Sequence, residues 1–141
     1  MTRALAIDYG KRRIGVAFSD PDRIIVSHQE TILVNGYKDA VRKLVDYVRK
    51  SEIGEIVIGY PYRQDGSLGP LADDIDKLCT YLRKRFAGIP VELLDERYTS
   101  LLATRYLHES GRKVGDDKGR VDSTAAAILL DEYISRKRGD E

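Results

Sequence analysis

The chain has 141 residues, 42% of them hydrophobic and 33% charged, which suits one globular domain and is too short for two with separate cores. With 24 Lys and Arg against 23 Asp and Glu the formal net charge is +1, so no whole-molecule basic field draws the protein to nucleic acid, and a polyanion would have to be met by local patches. The single cysteine, Cys79, excludes an internal disulfide framework and a thiolate zinc site.

Met1-Thr2-Arg3 and the mixed run that follows lack the apolar stretch and cleavage site of a signal peptide. No run approaches the ~20 apolar residues of a membrane span. A cytoplasmic protein with no membrane partner is expected.

Leu5-Ala6-Ile7 followed by Asp8-Tyr9-Gly10 reads as a short strand ending in a polar turn. Ile14, Val16 and Phe18 alternate with Gly15 and Ala17 as a second strand, close enough for an antiparallel hairpin. After the turn Asp20-Pro21-Asp22, the β-branched run Ile24 to Val34 reads as a third strand. The period then changes: Val41, Leu44, Val45 and Val48 mark one face of a helix. Glu55 to Gly59 is a short buried strand. The loop Tyr60 to Pro70 leads to a second helix with Ile75, Leu78, Cys79, Leu82 and Phe86 inward. Val91 to Asp95 is a fifth strand, Thr99 or Ser100 to Glu109 a third helix, and Asp122 to about Arg136 a last helix. Gly111 to Val121, charged and glycine-rich, reads as a loose loop. Residues 1–136 then form one domain and 137–141 a polar tail. This order contains two strand-helix-strand units, so an α/β fold is expected, with a mixed sheet of five strands, the first three antiparallel, and helices on its faces.

Three acidic positions are notable for their placement. Asp8 ends the first strand, Asp95 and Glu96 end the fifth, and Asp122 opens the last helix. In open α/β sheets such ends meet where ligands bind. Carboxylates gathered there repel unless a proton or a cation intervenes, and magnesium or manganese is the usual cation for an oxygen-only set. Each also has an ordinary reading: Asp8 in a hairpin turn, Asp122 as a helix N-cap, Asp95 and Glu96 as exposed charges. Because strand neighbours point to opposite faces, at most one of Asp95 and Glu96 enters a shared site.

Lys11, Arg12, Arg13, Arg97, Lys118 and Arg120 lie next to these acids in sequence, as phosphate contacts would. Arg83-Lys84-Arg85 and Arg136-Lys137-Arg138 read as solvated faces. Tyr60 and Tyr62 have the chemistry to stack on bases, although loop packing accounts for them as well. Gly10-Lys11 has no upstream glycine of a phosphate loop, Gly10 and Gly15 make no dinucleotide fingerprint, and Ser67 is not in a nucleophile elbow. His28 and His108 stand alone, and Cys79 reads as core.

Four motifs in order, Ala6-Ile7-Asp8-Tyr9-Gly10 with Arg13 to Ala17, Ile58-Gly59-Tyr60-Pro61 with Asp65-Gly66, Asp95 to Ser100, and Lys118 to Ser123 with Ala125-Ala126, resemble the YqgF family, also called RuvX. The resemblance runs from about residue 4 to 134. Its members are Holliday junction resolvase-like nucleases linked to maturation of the 5′ end of pre-16S ribosomal RNA.

The resemblance implies a ribonuclease H-like fold and a nuclease site in which Asp8, Glu96 and Asp122 are catalytic and bind one or two Mg2+ or Mn2+ ions. It chooses Glu96 over Asp95, and strict alternation would place Glu96 on the face of Leu94. It implies precursor rRNA or branched DNA as the partner, with the chain a monomer or weak homodimer. Two departures stand out. Related RuvC resolvases carry an acid on the strand before the Tyr60 loop and a second one a turn into the last helix, where this chain has Ile58-Gly59 and Asp122-Ser123-Thr124-Ala125. Tyr60 replaces the family's usual leucine. The rival readings are a non-catalytic nucleic-acid-binding accessory factor with the same fold, and an actin-like or sugar-kinase ATPase. The ATPase requires two such domains, where this chain has room for one.

Overall fold

A computed structural model describes residues 2–62, 65–66, 68–96 and 118–139, the first six of the last segment as helical backbone. The strands are β1 (Arg3–Asp8), β2 (Arg13–Ser19), β3 (Val26–Leu33), β4 (Ile53–Tyr60) and β5 (Val91–Asp95). The helices are α1 (Tyr37–Lys50), α2 (Ala72–Arg85) and α3 (Lys118–Gly139). The strands form one sheet in the order β3-β2-β1-β4-β5. β1, β2 and β3 pair antiparallel, while β4 joins β1 and β5 joins β4 in parallel, as the strand-helix-strand units require.

Alternation along the central strands divides the core into two layers. Leu5, Ile7, Ile14, Val16, Ile56 and Ile58 face α1 and α2, meeting Ala40, Leu44 and Val48 of one helix and Ile75, Leu78, Cys79 and Leu82 of the other. Ala4, Ala6, Ala17 and Val57 face α3, where they meet Ala126, Leu129, Leu130, Tyr133 and Ile134. The small alanines let α3 approach the sheet closely. Burying one of the larger aliphatic side chains contributes about 1.5–3 kcal/mol.

β4 runs from Ile53 to Tyr60, longer at both ends than the expected Glu55 to Gly59, and three further boundaries, in β3 and α3, also differ from the sequence expectation. β3 begins at Val26 and not Ile24, because the Asp20 carboxylate accepts the backbone N–H groups of Ile24 and Ile25 at 2.7 and 2.9 Å, and Arg23 adopts a left-handed conformation with φ 56°. That turn withholds both residues from the ladder. α3 begins at Lys118, so Lys118 to Val121 are helical and not part of a loose loop, and Asp122 is the fifth residue of the helix and not its N-cap. α3 also continues to Gly139 through the expected tail, its last turn carrying Arg136, Lys137 and Arg138, which complement the helix dipole. Lys137 lies 3.5 Å from Glu92 and over the Tyr133 ring, so that basic run is only partly a solvated face. The helix expected from Thr99 or Ser100 to Glu109 lies outside the described residues.

Candidate active site at the carboxyl ends of the strands

β1, β4 and β5 run the same way, so Asp8, Tyr60 and Asp95 end at one rim. Ile7 pairs with Ile58 and Gly59 with Leu94, which puts Gly59 between the end of β1 and the end of β5. Asp8 is 7% exposed and Glu96 only 3%. A Cβ built on Gly59 would lie 2.5 Å from Glu96 Oε1 and 3.3 Å from Leu129 Cδ2. The Glu96 carboxylate therefore occupies the space over the central strand that a side chain on β4 would otherwise fill. Leu94 belongs to the layer under α3, and Glu96, two residues on, lies on that same side. Asp95 is half-buried.

Two tyrosines brace the rim from the opposite layer. Tyr9 Oη donates to Asp74 Oδ2 at 3.4 Å, and Tyr60 Oη to Asp76 Oδ2 at 3.1 Å, tying the ends of β1 and β4 to the start of α2. Burial first, and then the adjacent aspartate, pushes each phenol up to about 12. The Tyr60 ring packs on Tyr62 at 4.9 Å and Tyr60 is 7% exposed, which makes it a packing residue and not a stacking platform. The sequence does not announce these braces, because Tyr9 and Tyr60 stand at turn and loop positions in it.

Lys11 and Arg12 are exposed in the turn between β1 and β2, and Arg13 is half-buried at the start of β2. Gly10 fits there because a Cβ would collide with the Arg13 carbonyl. Val34 N–H closes the turn onto the Arg12 carbonyl at 2.9 Å. Lys118, Arg120 and Asp122 lie on the first turns of α3, and Arg97 lies outside the described residues. Asp122 precedes Leu129 by seven positions, about two helical turns, so the two positions share the face of α3 that crosses Gly59. Among the described residues, no three His, Cys, Asp or Glu side chains gather as a metal site. Cys79 is buried, and His28 stacks on Phe18 and bonds Glu30, leaving neither near the rim.

A five-stranded sheet in this order, with its first three strands antiparallel and acids at the carboxyl rim, is the ribonuclease H-like class of fold. It superposes on Thermus thermophilus RuvC, solved in complex with a Holliday junction substrate, with a TM-score of 0.58 and 16% identity over 99% of this chain and 97% of that one. A family model described as RuvX, Holliday junction resolvase, matches residues 2–136. A Bacteroides fragilis protein named "Putative pre-16S rRNA nuclease" is 36% identical over 98% of this chain and 99% of its own length. A Mycobacterium leprae protein of the same name is 37% identical over 96% of this chain and 74% of its own. The chain belongs to the RuvX family, a family of nucleases and thus of hydrolases acting on ester bonds. No helix among the described residues is long and apolar enough to cross a membrane.

Proposed function

We propose that the rim hydrolyses phosphodiester bonds in nucleic acid, with Asp8, Glu96 and Asp122 as the catalytic carboxylates. The observation that carries this reading is the placement of two buried carboxylates at the rim, Asp8 at the end of β1 and Glu96 leaning over Gly59 from the end of β5. Their oxygen-only chemistry suits Mg2+ or Mn2+. When bound, such an ion supplies positive charge to the phosphate and lowers the pKa of a coordinated water. Asp8 and Glu96 would be two of its ligands and Asp122 the third.

The remaining work falls to the chain itself. Asp8 is fixed by the strand that carries it and Glu96 by the strand it leaves, so little reorganisation is needed when substrate arrives. The exposed Lys11 and Arg12, with Arg13 beside them, flank Asp8 and offer cations to the phosphates on either side of the scissile bond. Arg97, Lys118 and Arg120, next to Glu96 and Asp122 in sequence, would serve the same purpose. The names of the relatives favour precursor 16S rRNA as the substrate, and the family's description a four-way DNA junction. The protein is expected in the cytoplasm, where both occur.

A manganese-dependent cleavage assay comparing a precursor-rRNA fragment, a four-way DNA junction and duplex DNA tests the reading. Asp8→Asn should keep the fold and lower cleavage by roughly 10²-fold or more. Wild-type activity in that variant would remove the assignment. Binding without cleavage in both proteins would identify the accessory-factor alternative.

A further inference from the structure

On the side of the sheet away from α3, two clefts meet at Tyr81. One, of about 600 Å3, runs along α1 between Lys38, Arg42, Lys43 and Arg49, with Val41 and Val45 beneath. The other, of about 450 Å3, lies along α2 between Tyr37, Lys77 and Lys84. Lys77, Tyr81 and Lys84 are spaced i, i+4, i+7, and Lys38, Arg42, Val45 and Arg49 follow the same period, so each set forms a stripe on its own helix. The two stripes face one groove.

Of the acids nearby, Asp39 pairs with Arg42 at 2.5 Å and with Lys43 at 3.1 Å, and Asp46 with Lys50 at 2.9 Å. Asp76, which lines the second cleft, and Asp74, close to Tyr37, accept the Tyr60 and Tyr9 hydroxyls and keep their charge, so the cations outnumber the acids here without being alone. Lys38, Arg49, Lys77 and Lys84 are exposed and have no ion-pair or hydrogen-bond partner among the described residues. In a chain whose net charge is +1, four such cations around an aromatic ring that is 44% exposed form a local positive field. α1 starts at the end of the sheet that carries Asp8, because Leu33 pairs with Arg13 across from that end. The groove therefore leads away from the rim for about 16 Å, the length of helix from Lys38 to Arg49.

We propose that this groove is a second nucleic-acid-binding surface, in which the four cations hold the sugar-phosphate backbone of a single strand and Tyr81 stacks on one of its bases. A single strand fits better than a duplex because only unpaired bases offer their faces to a side chain. The choice of nucleic acid as the polyanion rests on the nuclease reading of the rim, but binding here does not need the rim to be active.

The test is fluorescence anisotropy with a labelled oligouridine, in EDTA and over a series of salt concentrations. The triple variant Arg49→Gln, Lys77→Gln, Lys84→Gln should lower the slope of log affinity against log salt by about 2, at about 0.7 for each lost phosphate contact. Tyr81→Ala should weaken binding about tenfold with the slope unchanged. The triple Arg136→Gln, Lys137→Gln, Arg138→Gln, which removes as much charge from the last turn of α3 on the other side of the sheet, should keep the wild-type slope. The proposal fails if both triples lose slope equally, or if the groove triple loses none. It also fails if polyglutamate displaces the RNA as well as unlabelled oligouridine does, which would make the groove a docking surface for acidic protein. Asp8→Asn should bind as wild type does in EDTA; if that variant also cleaved normally, the reading of the rim would fall while the groove result stood.

Discussion

A methyl group on Gly59 would sit 2.5 Å from Glu96 Oε1 and 3.3 Å from Leu129 Cδ2, so it could be accommodated only by moving the carboxylate or the helix above it. Gly59→Ala is expected to fold and to lose about 10²-fold in cleavage, since displacements of this size misplace a reacting group. Circular dichroism and the cleavage assay would separate the two effects. Gly88→Ala, at a position where a Cβ meets nothing within 4 Å, should leave both unchanged. The acids were legible in sequence because strand ends and helix starts are places where carboxylates do chemistry. The role of Gly59 was not, because within Ile56 to Tyr60 it reads as one more residue of a buried strand. What fills the space above a glycine is decided by a residue 37 positions away in the chain.

At the level of elements, the start of α1 shows how a side chain sets a boundary. Asp39 accepts the Asn35 backbone N–H at 2.9 Å and pairs with Arg42 and Lys43, and these contacts, the N–H first, pull its carboxyl from 3.8 down to about 2. Because the folded value lies below the unfolded one, the stability it contributes is present above pH ~4 and is lost as pH falls toward 2. In urea titrations from pH 5 to pH 2, Asp39→Asn should be less stable than wild type at pH 5 and show a shallower loss toward acid. The same kind of local contact explains which elements were readable. The apolar faces of α1 and α2 and the strands β4 and β5 are readable because their apolar periods are long or continuous, although Phe86, on the expected inner face, lies just past the end of α2. The β-branched pattern starts β3 two residues early because the Asp20 turn competes for Ile24 and Ile25, and no hydropathy pattern carries that competition. The sequence starts α3 four residues late because Asp122 has the chemistry of a cap, while Lys118 to Val121 carry no apolar period to announce a helix.

Across the whole molecule the sheet separates two tasks. Among the described residues, the layer under α1 and α2 holds most of the large buried side chains and should contribute most to stability, whereas the layer under α3 lies beside the acids. Leu44→Ala, on α1, should cost about 2–5 kcal/mol in urea unfolding yet leave cleavage near wild type in the protein that remains folded. Leu129→Ala, which opens space beside Gly59, should lower both stability and turnover. The near-zero net charge also divides by location, with acids buried at the rim and cations that have no partner among the described residues lining the α1/α2 groove. Finally, β5 is an outer strand, paired only with β4 among the described strands, and its Glu92 and Leu93 are exposed. Glu96 hangs from the end of that strand and not from the protected centre of the sheet. Outer strands open locally at a lower free energy than the global transition. Heating should therefore silence the enzyme reversibly some degrees below its melting temperature, while far-ultraviolet dichroism still reports a folded chain.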